Sequence, residues 1–164
     1  MNRLLAGAIA GTAATVPMTA LMVYLHRQIP PGERRMLPPK QVAGKMASEA
    51  GAEGLVDRED ELLAATGVTH FSYGAAMGAV YAAVAPHLDV PAEAKGTAFG
   101  LGLWAGSYLG WLPAAGIRAP ATRRPASENG MMIAAHIVYG AVLGRLTESL
   151  VDHNGNGTMP SRAE

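Results

Sequence analysis

Three long runs of this chain contain no acidic or basic side chain, and they limit its fold more than any other feature. The runs cover residues 4–25, 62–88 and 96–117. An α-helix rises about 1.5 Å per residue, so about 20 apolar residues cross the roughly 30 Å hydrocarbon core of a bilayer. A fourth run begins at Asn129 and reaches that length only if it continues past Arg145, whose guanidinium can extend to the headgroups. The sequence therefore predicts four transmembrane spans, at about 4–25, 62–86, 96–117 and 129–150.

Charged residues are scarce overall. They make up 16% of the 164 residues, against about 25% in ordinary soluble domains. A soluble helical bundle is the main alternative, but its helices would show a polar stripe at helical period, and these runs show none. For the first run a secretory signal is the alternative, because Arg3 precedes it. That run is longer than a signal core and has a counterpart later in the chain, so we interpret it as a span.

The chain contains two copies of one pattern, His-x2-Tyr-Gly-Ala-x2-Gly, at residues 70–78 and 136–144. A second match joins the first and third runs through two glycines each, Gly7 and Gly11 with Gly96 and Gly100. Each unit then holds two spans, and an even number of spans gives both copies the same orientation. The predicted fold is all-α, an integral membrane four-helix bundle in a single domain over 1–150, built from two parallel two-helix repeats.

The charged connection over residues 26–61 is longer than its counterpart in the second unit. Within it, Val42 and Met46 lie one helical turn apart, near lysines that could reach anionic headgroups. A short helix over 38–50 is expected, either on the membrane surface or over the ends of the spans. Residues 151–164 are polar and are predicted to form a disordered tail.

Basic residues predict the orientation. Most of the 13 Lys and Arg residues lie in the connections 26–61 and 118–128, and cytoplasmic loops carry such an excess. We therefore expect a multi-pass protein of the inner (plasma) membrane, with both connections in the cytoplasm and both termini outside.

Small residues indicate where the helices pack, because glycines spaced by four allow two backbones to approach closely. Gly102, Gly106 and Gly110 form one such row and are predicted to be a helix-packing face. The two motif copies supply the other candidate functional and packing residues, which are His70, Tyr73, Gly74, Gly78, His136, Tyr139, Gly140 and Gly144.

The histidine and tyrosine pairs admit three interpretations. In the first they form hydrogen bonds between helices, and the protein is a structural or partner component that packs against its own copies or another membrane protein. In the second, His70, Tyr73, His136 and Tyr139 line a small proton, ion or solute conduit. In the third, His70 and His136 are the axial ligands of a haem. The partners expected are the lipid bilayer and a homo-oligomer or another membrane protein.

Several function classes lack the residues that they require. The chain has no cysteine, which excludes disulfides, thiolate metal sites and cysteine nucleophiles. It shows neither a phosphate-binding glycine loop nor a serine-hydrolase elbow. We therefore predict no catalytic site, no resident metal or cofactor and no nucleic-acid partner.

Segments across most of the chain resemble uncharacterised bacterial inner-membrane proteins related to the YagU-like group. The similarity is carried by Leu-Pro-Pro at 37–39, His-x2-Tyr-Gly-Ala-Ala at 70–76, Trp-Ala-Gly-Ser-Tyr-Leu-Gly-Trp-Leu-Pro at 104–113 and Ala-His-x-Val-Tyr-Gly at 135–140. The resemblance implies a small multi-pass inner-membrane protein and supplies no catalytic site.

Overall fold

The computed structural model describes residues 1–155, and every regular element in that range is helical. The all-α prediction is confirmed. The α-helices are α1 (Arg3–Gln28), α2 (Pro38–Glu49), α3 (Glu59–Val84), α4 (Ala92–Ala105), α5 (Leu112–Ala114) and α6 (Ala126–Gly155). A π-helix, Gly106–Trp111, joins α4 to α5 without a break, and single 3₁₀ turns lie at Glu53–Leu55, Ala85–His87 and Ala121–Arg123.

The helices begin at residues that suit a helix amino terminus. The side chain of Asn2 accepts a hydrogen bond from the backbone N–H of Leu4 and so caps α1. Helix α2 begins with prolines, which lack the N–H that the first turn leaves unpaired. The acidic residues 59–61 occupy the first turn of α3, where negative charge is favoured by the helix dipole. Helix α2 occupies the segment in which a short helix was expected and packs against α3.

The four long helical segments run up and down in chain order. Helix α1 packs against both α3 and α6, and α6 packs in turn against α4. The helices therefore lie in the order α3, α1, α6, α4. The backbones of α3 and α4 stay farther apart, and their contacts are made by side chains such as Tyr81 and Phe99, whose ring centroids are 5.4 Å apart.

Glycines make the two closest helix pairs. Gly7 and Gly11 of α1 face Gly78 and Gly74 of α3, and a methyl group added at Gly78 would lie 2.8 Å from the Cα of Gly11. In the other pair Gly96 of α4 meets α6 in the same way, because a methyl group there would lie 3.0 Å from the Cα of Gly144. Without a Cβ on either side, the backbones pack directly.

The two helix pairs make similar contacts, but the residues that correspond in these contacts are shifted by one helical turn from those matched in the sequence. A Cβ on Gly11 would strike the carbonyl of Gly74, and a Cβ on Gly96 would strike the carbonyl of Gly140. In its contacts Gly96 therefore corresponds to Gly11, and not to Gly7. Glycines that recur at every turn permit either alignment, and only the packing distinguishes them.

The predicted packing row of Gly102, Gly106 and Gly110 does not pack against any other part of residues 1–155. A Cβ added at any of the three would meet no atom within 4 Å among the described residues. The reason is the direction of α4, which turns Gly96 and Gly100 toward α6 and leaves the other glycine row exposed. Packing of that row against another molecule stays a prediction.

Two helices of the described residues are long and apolar enough to cross a membrane, Arg3–Gln28 and Ala126–Asp152. Buried helices of soluble proteins and amino-terminal signals share those properties, so length and composition alone do not decide between these classes. The α4 segment is only 14 residues long because the π-helix interrupts it.

Helix α6 continues to Gly155, five residues beyond the predicted end of the fourth span, so the first part of the predicted polar tail is helical. The rest of that tail, 156–164, lies outside the described residues. Near this end the guanidinium of Arg145 pairs with Glu93 at 2.5 Å, while Glu148 pairs with Lys95 at 2.7 Å. These ion pairs join the start of α4 to the end of α6.

Candidate binding cavity

A cavity of about 460 Å³ lies where α3 and α4 diverge. Its walls come from α1, α3, α6 and the segment from α4 to α5, and α2 contributes Val42 and Met46 near the connection end of the bundle. Four large lining residues are exposed, Met46 of α2, Val68 and Tyr73 of α3 and Trp111 of the π-helix, so the opening lies among these three elements. Pockets of this size hold small organic molecules.

All four histidine and tyrosine side chains of the repeated motif line this one cavity, namely His70, Tyr73, His136 and Tyr139. Of the motif glycines, only Gly74 reaches the cavity wall, and the others pack helix against helix. In both copies of the motif, the histidine and tyrosine therefore line the cavity, and the glycines pack one helix against another.

The ring of His70 is oriented by Thr19 of α1. Its Nδ1 lies 3.4 Å from the hydroxyl oxygen of Thr19, and that hydroxyl donates its single proton to the carbonyl oxygen of Thr15 at 2.7 Å. The Thr19 oxygen is therefore the acceptor, and Nδ1 of His70 carries the proton. In a neutral ring this leaves Nε2 as a hydrogen-bond acceptor.

His136 has the same tautomer for a different reason. Its Nδ1 lies 2.7 Å from the carbonyl oxygen of Met132, one turn earlier in α6. A carbonyl can only accept, so Nδ1 donates and Nε2 of the neutral ring is an acceptor. The ring is buried, and Tyr108 packs against it edge to face at a centroid distance of 6.0 Å.

Tyr73, Ser107 and Trp111 form a polar cluster at the opening. The hydroxyl groups of Tyr73 and Ser107 lie 3.3 Å apart, and the indole N–H of Trp111 donates to the Ser107 oxygen at 3.2 Å. Each hydroxyl carries one proton, and only one of these two protons is used in the hydrogen bond between them. One O–H of this pair is thus available to a bound molecule.

The deeper end of the cavity is closed by packed side chains. The hydroxyl of Tyr139 donates to the carbonyl oxygen of Gly74 at 2.8 Å, which ties α6 to α3. Beyond it, Tyr81 and Leu143 are fully buried and Phe99 packs on the Tyr81 ring. This packing closes the cavity at the end formed by Tyr139, Tyr81 and Leu143.

The walls of the cavity carry no net charge. None of the described residues that line it is Asp, Glu, Lys or Arg, and most of the lining is apolar, from Met18, Leu103, Leu112 and Met132 among others. Within residues 1–155 no group of three or more His, Asp or Glu side chains could hold a metal ion. The arrangement offers a few hydrogen bonds inside an apolar, partly aromatic chamber.

Comparison with known proteins identifies the family of this chain. A family model described as protein of unknown function (DUF1440) matches residues 19–144. The chain belongs to the DUF1440 family. The match includes both histidine motifs and the π-helix of this DUF1440 protein, whereas Gly7 and Gly11 precede it. No curated protein and no solved structure matches the chain.

Sequence reasoning did not assign Ser107 and Tyr108, which line the cavity of this DUF1440 protein, or Thr19, which contacts His70. Ser107 and Tyr108 belong to the segment that carries the family resemblance, but nothing in that segment indicates that their side chains face a cavity. The π-helix turns Ser107 and Tyr108 inward, where both are buried. No pattern in the sequence indicates that local change of pitch.

A buried ion cluster stands beside the cavity, at the connection end. Arg118 is 7% exposed, pairs with Glu128 and lies 5.4 Å over the ring centroid of Tyr108. Glu128 also pairs with Arg124 at 2.6 Å, and Arg118 donates to the side-chain oxygen of Gln41 at 2.8 Å. Burial lowers the pKa of Arg118. The cluster fastens α2 to the start of α6.

Proposed function

We propose that this protein is a small, four-span component of the bacterial inner membrane that binds a small neutral molecule from the bilayer in its central cavity. The observation that carries the proposal is an uncharged chamber of about 460 Å³ with an opening bordered by α2, α3 and the π-helix. A lipid-soluble molecule could enter through that opening without crossing a charged layer.

The exposed surface supports the membrane assignment. Large apolar side chains are exposed along the outward faces of the long helices, including Leu5, Ile9, Val80 and Leu109. Lipid accommodates such a face, whereas water penalises it in proportion to its area. The basic connections favour cytoplasmic placement of 26–61 and 118–128 with the termini outside. The YagU-like resemblance implies a multi-pass protein of the inner membrane.

A structural or partner role is a second candidate, supported by the exposed glycine row. Gly102, Gly106 and Gly110 leave a shallow face on α4 and the π-helix that no described residue covers. A second copy or another membrane protein could pack a helix there. This role is compatible with a binding cavity, because the row does not line it.

The conduit and haem hypotheses have weaker support. His70, Tyr73, His136 and Tyr139 do line one chamber, as a conduit requires, but Tyr81 and Leu143 fill the path beyond it. Haem carries two propionates, and the cavity lining offers no arginine or lysine among the described residues.

Two leucine-to-tryptophan variants test the binding proposal. Leu103 lines the cavity, whereas Leu109 is 49% exposed and does not. Leu103→Trp should fill the chamber, and Leu109→Trp is the matched control on the same helical segment. Native mass spectrometry of protein extracted in mild detergent should show a bound small molecule in the parent and the control, and should show it lost in Leu103→Trp. A parent without any bound molecule, or equal occupancy in all three proteins, would contradict the proposal.

A further inference from the structure

We propose that the molecule bound in the cavity is a quinol, a neutral aromatic ring that carries two phenolic hydroxyl groups. The inference rests on the proposed binding function and adds the ligand's chemical class. It follows from which atoms of the cavity lack hydrogen-bond partners and from whether those atoms donate or accept.

The two histidines present acceptors. Nδ1 of each ring is committed, to Thr19 in one case and to Met132 in the other. Neither Nε2 has a hydrogen-bond partner within residues 1–155, and both rings line the cavity. With no carboxylate among the described lining residues to stabilise an imidazolium, burial favours the neutral rings. A ligand that satisfies both rings must therefore bring two hydrogen-bond donors.

The donors must be neutral and must be attached to an apolar body. A cationic ligand would meet no countercharge in the lining, and burying an unpaired charge is strongly unfavourable. Hydroxyl groups meet the requirement, and their oxygens can in turn accept the free O–H of the Tyr73 and Ser107 pair. Two hydroxyls on one framework match two imidazole acceptors in one chamber.

The lining favours an aromatic framework over an aliphatic one. The rings of Tyr73, Tyr108 and Trp111 all face the chamber. Aromatic rings gain from stacked or edge-to-face contact beyond the area that they bury. The opening beside Tyr73 and Trp111 leaves room for an isoprenoid side chain to extend into lipid.

Binding of three matched probes tests this assignment. The purified full-length protein in mild detergent would be dialysed to equilibrium under argon against a short-chain prenylated benzoquinol, the corresponding quinone and the quinol dimethyl ether. The quinone and the ether lack the donors, so each should bind about tenfold more weakly than the quinol, or worse. Monooleoylglycerol, an aliphatic diol, should also bind more weakly. Equal affinities for the quinol and its dimethyl ether would overturn the proposal.

Variants locate the effect at the histidines. His70→Phe and His136→Phe keep a ring and remove the acceptors, so each should reduce quinol affinity about tenfold while leaving ether affinity within about twofold. His87→Phe is the matched control, because His87 is exposed outside the cavity. Equal losses for quinol and ether would assign the histidines a structural role and overturn the proposal. If none of the probes binds while Leu103→Trp still removes a bound molecule, the ligand class is wrong and the binding function stands. If no molecule is lost either, both are wrong.

Discussion

The contact between Gly78 of α3 and α1 supports a quantitative test of the helix packing. A methyl group at Gly78 would overlap the carbonyl oxygen of Gly7 and lie 2.8 Å from the Cα of Gly11, so it would meet backbone atoms of α1. Backbone cannot rotate away as a side chain can, and overpacking of this kind costs about 1–3 kcal/mol. Alanine also gains about 1 kcal/mol over glycine within a helix.

Gly102→Ala separates these two effects. Gly102 is also helical, but a Cβ there meets no atom within 4 Å among the described residues. Gly102→Ala should therefore gain only the stability that comes from the higher helix propensity of alanine. The difference in unfolding free energy between Gly78→Ala and Gly102→Ala should then equal the overpacking cost, about 1–3 kcal/mol. Titration from mild detergent into sodium dodecyl sulfate, followed by circular dichroism, measures both. Agreement of the two variants within about 0.5 kcal/mol would refute the packing described here.

Two further perturbations test the ion pairs. Glu128→Gln should destabilise the protein by about 3–5 kcal/mol in the same titration, because it leaves the buried guanidinium of Arg118 unpaired. The control is Glu59→Gln, at an exposed ion pair, which should cost less than about 1 kcal/mol. Equal effects of the two variants would refute this account. The hydrogen bond from Arg145 lowers the pKa of Glu93 in the folded protein. The ionised carboxylate therefore stabilises the fold at pH values above the pKa of the unfolded state, which is near the usual 4.5. This stabilisation is lost as the pH falls through the lowered pKa of the folded state. The melting temperature of Arg145→Gln, measured from pH 7 to pH 3, should decline less than that of the parent, and identical profiles would contradict the assignment.

The positions of the long helices were readable from the sequence because charge is absent from the spans and concentrated between them. Helices α1 and α6 cover the first and fourth predicted spans, α3 ends two residues before the end of the second, and the segment from α4 to α5 corresponds to the third. Whether all four cross a membrane stays a prediction. Composition alone identifies two of them as long and apolar enough.

The pairing of the helices was less readable. Glycines in α4 recur on two faces, and the sequence does not state which face meets α6. Gly96 and Gly100 do so, whereas Gly102 and its row are exposed. The one-turn difference in register has the same origin, because glycines spaced by four allow neighbouring alignments of similar closeness.

The cavity was beyond sequence reasoning. The motif histidines and tyrosines were identified, but the chamber that they share depends on the divergence of α3 from α4 and on the π-helix Gly106–Trp111. That local change in pitch turns Ser107 and Tyr108 inward. Patterns of residue spacing based on 3.6 residues per turn do not represent it.

Cysteine labelling in intact cells tests most directly whether four spans place the cavity within the bilayer. The chain has no cysteine of its own, so single substitutions report one site each. Asp89→Cys lies in the connection between α3 and α4, and Glu33→Cys lies between α1 and α2. We expect a membrane-impermeant maleimide to label position 89 in intact cells and to label position 33 only after permeabilisation. Labelling of both positions in intact cells, or recovery of the protein in the soluble fraction, would contradict the account.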